Sequence, residues 1–219
     1  MRVWLVVAIA GCGGSDVHFA DAPYCAPSVV YLDRDGGNYD HGKVDDVAMN
    51  RAVVVDAPRT LAPWPGDATN WTDVTACIRD ALAPFAVQVT DVDPGAAPHY
   101  ELVFTDAYWL DSAVTHVFPS SCKPGNQIEL VFGSALATPT RACEVAMSGL
   151  AQMAALLGPG QNCVDFTSPA MDCDVRAFVD ADTSCVDAAT DLPAPCRCDG
   201  TQTTENSYRA LNALFHACP

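Results

Sequence analysis

The stretch Trp71 to Gly95, WTDVTACIRDALAPFAVQVTDVDPG, decides the fold class. Apolar residues recur at Trp71, Val74, Ile78, Ala81 and Leu82, the spacing of one helical face, and Pro84 ends the pattern. Directly after it, Phe85, Val87 and Val89 alternate with Ala86, Gln88 and Thr90, the period of a strand. Upstream, SVVYLDRDGG from Ser28 to Gly37 reads as a first strand ended by a glycine turn. Strand, helix and strand in that order predict a βαβ unit. Asn70-Trp71-Thr72 is formally a glycosylation sequon, and Asn70 is expected to cap the helix instead.

Two further strands follow, HYELVFTD from His99 to Asp106 and QIELVFGSAL from Gln127 to Leu136, separated by a loop that contains Cys122. A second helix is expected from Arg141 to Leu157, with Cys143, Ala146, Met147, Leu150, Ala154 and Leu157 as its apolar stripe. Residues 159 to 205 read as irregular and hold five cysteines, and NSYRALNALFHAC closes the chain as a short helix. The order predicts an α/β sandwich with a sheet of mixed direction, two main helices, a C-terminal helix and disulfide-rich loops.

At the N-terminus Arg2 precedes the apolar run VWLVVAIA, and IAGC leads into Cys12. This resembles a bacterial lipoprotein signal, which implies a signal peptide over 1–11, a lipid on Cys12, a tether over 12–27 and a single domain over 28–219. Gly13 after the lipid cysteine points, by the same resemblance, to the outer membrane. A plain secretory signal, giving a secreted protein, is the alternative. The apolar run is shorter than the roughly 20 residues a membrane span needs.

Ten cysteines remain once Cys12 is set aside: Cys25, Cys77, Cys122, Cys143, Cys163, Cys173, Cys185, Cys196, Cys198 and Cys218. An even number in an exported chain reads as a disulfide framework. Cys196-Arg197-Cys198 lacks the CxxC spacing of a zinc site. The 27 acidic against 11 basic residues give a net charge of −16, which excludes nucleic acid and anionic lipid as partners. The membrane is then reached only through the lipid at Cys12.

With these elements in place, the chain resembles a metzincin-type zinc metalloprotease domain, on WTDVTACIRDALAPFAVQVTDVDPG and on the helix segment GLAQMAALLGPGQ, 149 to 161. Metzincins carry HExxHxxGxxH and then a Met-turn. Laid on this sequence, the ligand histidines fall on Ala151, Ala155 and Gln161 and the catalytic glutamate on Gln152. Gly158 matches the glycine, and Met171 in SPAMD stands where a Met-turn is expected. Catalytic zinc needs three protein ligands with lone pairs, and an amide cannot take a proton from bound water. The resemblance therefore implies a pseudoprotease that binds an unknown protein or peptide, along a sheet edge, with no metal and no cofactor. An ordinary alanine-rich helix closed by a glycine is the alternative reading of the same residues.

Asp33, Asp35, Asn38, Asp40, His41, Asp45 and Asp46 put seven potential ligands in fourteen residues without EF-hand register. An acidic solvated loop is the first reading, and calcium on Asp33, Asp35 and Asp40 the second. Ser120-Ser121-Cys122-Lys123 spells SxxK but sits in a loop, and Gly133-Ser134 is no nucleophile elbow. The histidines His18, His99, His116 and His216 show no ligand spacing. A hydrolase with a relocated site and a purely structural surface protein are the rival expectations.

Overall fold

The computed structural model describes residues 28–106, 115–119, 125–133, 136, 138–154, 156, 164–167, 176–185, 196 and 203–216. Along the chain come β1 (Val29–Asp33), β2 (Gly37–His41), β3 (Arg51–Ala52), β4 (Arg59–Leu61), α1 (Ala68–Leu82), β5 (Gln88–Thr90), β6 (Tyr100–Thr105), β7 (His116–Val117), β8 (Ile128–Phe132), α2 (Pro139–Met153), β9 (Thr183–Ser184), β10 (Thr204–Glu205) and α3 (Ser207–His216). The main sheet has the order β5-β1-β6-β8-β7. Its first four strands run parallel and β7 pairs antiparallel with β8. The class is therefore mixed α/β, and the β1-α1-β5 unit expected from the Trp71 stretch is formed, with β1 and β5 as parallel neighbours.

Alternate residues of a strand face opposite sides of the sheet, so each face has its own core. On one face Val30, Leu102, Phe104 and Val131 pack against Val74, Ile78, Met147 and Leu150 of the two long helices. The disulfide Cys77–Cys143 ties α1 to α2 across this core. Phe85, Phe178, Phe215 and Tyr208 extend it and seat α3. On the opposite face Val103, Ile128, Leu130 and Phe132 meet Tyr39, Ala52, Val54 and Leu61. These belong to or flank a second, three-stranded sheet of order β3-β2-β4 that the sequence reading did not separate from the acidic loop.

Three boundaries differ from expectation, each for a local reason. Helix α1 starts at Ala68 because the Asp67 carboxylate accepts from the Asn70 backbone N–H, so Asp67 and not Asn70 is the cap. Helix α2 runs from Pro139, behind a Thr138 cap whose hydroxyl accepts from Arg141 N, and stops at Met153, so the expected span to Leu157 is too long. The expected apolar stripe of Cys143, Ala146, Met147 and Leu150 is buried, and so are Glu144, Ser148 and Gly149 beside it. A helix apolar and buried nearly all round is a core element, not a surface one. The 159 to 205 segment is not wholly irregular: β9 and β10 pair antiparallel, and Cys185 is bonded to Cys196.

Candidate functional site

The residues singled out on the zinc-helix pattern divide by position. Ala151 lies in the last turn of α2 and is fully buried in the helix-side core. Gln152 is half-buried. Ala155, Gly158, Gln161 and Met171 fall outside the described residues, as do Cys12, Cys25, Cys122, Cys163, Cys173, Cys198, Cys218, His18 and the SxxK segment. Within α2 the first ligand position thus holds a methyl group enclosed by apolar neighbours.

Two residues before Ala151, Gly149 rests on the carboxylate of Glu129, and any Cβ there would collide with it. Glu129 is fully buried on β8 and its Oε1 lies 2.8 Å from Nδ1 of His116 on β7. Burial pushes the Glu129 carboxyl up, and burial, reinforced by the charge of Arg141, pulls His116 down to about 4. The pair is accordingly a neutral one, a carboxylic acid donating to an imidazole nitrogen. Its second oxygen, Oε2, has no partner among the described residues, which a neutral acid tolerates better than a carboxylate does.

The other face carries a second buried glutamate. Asp33 closes β1 with Oδ1 accepting from the N–H groups of Asp35 and Gly36, and its Oδ2 is 3.1 Å from the Tyr39 hydroxyl. That hydroxyl is 2.7 Å from Oε1 of Glu101 on β6. Burial, then the charges of Asp33, Asp93 and Asp45, lift Glu101 to about 8 against the opposing Tyr39 hydrogen bond. Asp45 stitches the layers at another point, accepting from Val53 N and Ile128 N, and burial lifts it to about 6. Asp33 and Asp45, read from sequence as members of a solvated acidic loop, are structural acceptors.

The remaining members of that loop stay at the surface. Among the described residues the one trio of potential metal ligands close enough to share an ion is Cys185, Cys196 and Glu205, whose two sulfurs are already joined as a disulfide. Asp33, Asp35 and Asp40 do not converge in this way. Instead Asp40, His41, Lys43, Val44, Asp46 and Arg51 line an open depression of about 460 Å³, with Gly42 and Pro58 completing it. His41 turns Nδ1 inward to donate to the Val55 carbonyl at 2.6 Å, which leaves Nε2 as its outward nitrogen.

The charges around this depression are unusual for the chain. Arg34, Arg59, Arg79, Arg141 and Arg209 each reach a carboxylate, and Arg176 is buried with Nη2 donating to the Asp165 carbonyl. Lys43 and Arg51 have no such partner among the described residues, and the side chains of Asp40 and Asp46 accept no hydrogen bond there. Sequence reasoning found the acids of this segment but not its cations, because the pairing that singles out Lys43 and Arg51 exists only in three dimensions. No family model matches the chain, and neither the curated proteins nor the solved structures contain a match to it.

Proposed function

We propose that this chain is an exported domain that acts by binding and not by hydrolysis, on a scaffold that resembles a degenerate metzincin-like protease. Cys12 carries a lipid that holds it beside a membrane, the outer membrane of its cell, and its partner is a protein or peptide. Among the described residues no helix is long and apolar enough to cross a bilayer. The mixed sheet backed by α2 agrees with the resemblance.

The observation that carries the reading is the seat of Ala151. A zinc ligand must present its lone pairs to an ion that also keeps a position for water. Ala151 has no lone pair and is fully buried among apolar neighbours. What the molecule does present to solvent is the depression around Arg51, with charged groups of both signs left without internal partners.

The reading is tested by incubating the oxidised full chain with zinc and a broad panel of fluorogenic peptides. Turnover no higher than that of a heat-treated sample is expected. Zinc-dependent cleavage that follows the protein through purification overturns it.

A further inference from the structure

The geometry points to the depression as a recognition site for a zwitterion, a ligand holding an ammonium and a carboxylate a few ångströms apart, as amino acids and short peptides do. The inference rests on the binding reading above and names the chemistry of its ligand. Four observations carry it.

The first is the charge pattern. On a chain of net charge −16, Lys43 and Arg51 are the exposed cations with no ion pair among the described residues, and both line one depression. Asp40 and Asp46 line it too and are equally without partners. Groups of both signs, left apart from each other, match a ligand carrying both signs. An arginine fork accepts a carboxylate in two hydrogen bonds, and the lysine adds a point charge. The two aspartates are acceptors for an ammonium.

The second is the exclusion of simpler ligands. A polyanion meets the field of the whole chain and the two aspartates at the lip. A bare divalent cation needs several converging oxygens, and the acids here do not gather into such a set. A lipid or steroid needs apolar walls, and only Val44 and Pro58 are apolar among the lining residues. A zwitterion has no net charge and is not repelled on approach.

The third is size. A volume of about 460 Å³ falls in the usual range for small-molecule sites, roughly 300–1,000 Å³. Val44, 73% exposed, offers an apolar surface beside the charges for a side chain.

The fourth is rigidity. Asp40 N donates to Asn50 O at 2.9 Å, Gly42 N to Ala52 O at 3.2 Å and Asp46 N to Arg51 O at 2.9 Å. Asn50 turns the chain in the left-handed region at φ 49°. Gly42 lets the backbone close on itself, since a Cβ there would stand 2.6 Å from the Val44 carbonyl oxygen. Asp45 pins the loop to the main sheet. Walls already ordered leave less entropy to lose on binding.

The test is calorimetric titration of the oxidised full chain with L-alanine, glycyl-L-alanine and N-acetyl-L-alanine amide, with inorganic phosphate and calcium alongside. One of the two unblocked compounds is expected to bind one site, and the pair separates a free amino acid from a peptide as the source. The blocked compound is expected to bind at least about tenfold more weakly, and Arg51→Gln and Asp46→Asn to weaken the unblocked ligand by a similar factor. Arg51 is exposed and Asp46 half-buried, and an unchanged circular dichroism spectrum shows that the fold persists. Equal binding of the blocked compound, no binding of either unblocked one, or indifference to both substitutions overturns the zwitterion assignment. Tighter binding of phosphate or calcium at the same residues also overturns it and leaves the binding reading standing. Cleavage of glycyl-L-alanine, seen by mass spectrometry, overturns the non-catalytic reading and leaves zwitterion recognition standing.

Discussion

The Tyr39 hydroxyl stands between two acids, 2.7 Å from Oε1 of Glu101 and 3.1 Å from Oδ2 of Asp33. A phenol has one proton and cannot donate to both. It donates to one acid at a time, and its shorter contact is with Glu101, whose carboxyl burial lifts to about 8 against that hydrogen bond. This one hydroxyl joins β2 of the small sheet, the strand that also carries Asp40 and His41, to β1 and β6 of the main one.

Tyr39→Phe removes that hydroxyl and leaves two buried acids without their bridge. The loss is expected to be about 1–3 kcal/mol, the usual cost of a buried polar group deprived of its partner. Denaturant unfolding of the oxidised protein measures it, and a change within error would show that the bridge adds nothing to the packing around it.

The stability of the wild-type protein should fall as pH rises between about 6.5 and 8. Glu101 binds its proton more tightly folded than unfolded, so unfolding releases a proton anywhere between the ordinary value of 4.5 and about 8. The stabilisation is full below the unfolded value and is lost as pH rises through the folded one. Below about 6.5 the trend is mixed. Asp45, lifted to about 6, acts in the same direction, whereas His116, held at about 4, gains stability as pH rises. In Glu101→Gln the slope between 6.5 and 8 should be shallower by about 1 kcal/mol per pH unit. Chemical unfolding at four or five pH values gives both slopes, and parallel slopes would contradict the assignment.

Gly149→Ala places a methyl group on the Glu129 carboxyl, in a helix buried along most of its length. A destabilisation of about 1–3 kcal/mol is expected, although alanine favours helix over glycine by about 1 kcal/mol at exposed sites. Most of the loss should vanish when Glu129→Ala is introduced as well, which a double-mutant cycle on thermal unfolding would detect.

Replacing both Cys77 and Cys143 by alanine removes a cross-link spanning 66 residues between the two main helices. The chain-entropy relation puts the loss at about 4 kcal/mol. A lowered denaturation midpoint with a steeper slope is the expected signature, because the unfolded chain without the cross-link exposes more surface, and an unchanged midpoint would mean that helix packing alone sets the geometry.

Sequence made some of this architecture legible and hid the rest for identifiable reasons. The period of Trp71, Val74, Ile78 and Leu82 is intrinsic to one helix, and all four are buried where it places them. The small sheet was not legible because its strands are two to five residues long, and β2, GNYDH, buries only Tyr39. The two glutamates were visible as the repeated ELVF of β6 and β8, each a lone charge inside a buried strand. Their separation was not, because Glu101 pairs with Ile128 and Leu102 with Glu129, and that offset of one residue turns the acids to opposite faces. Gly149 in mid-helix was the one local hint of Glu129, since such a glycine is costly unless something packs against it.

The most direct test is the metal content of the oxidised full chain, purified without chelator or affinity metal, by mass spectrometry calibrated to protein concentration. A packing role for α2, with Ala151 sealed in the core, predicts zinc far below one ion per chain even after incubation with the metal. One tightly held zinc per chain would contradict the account and restore a metal site to the α2 region or to a segment beyond it.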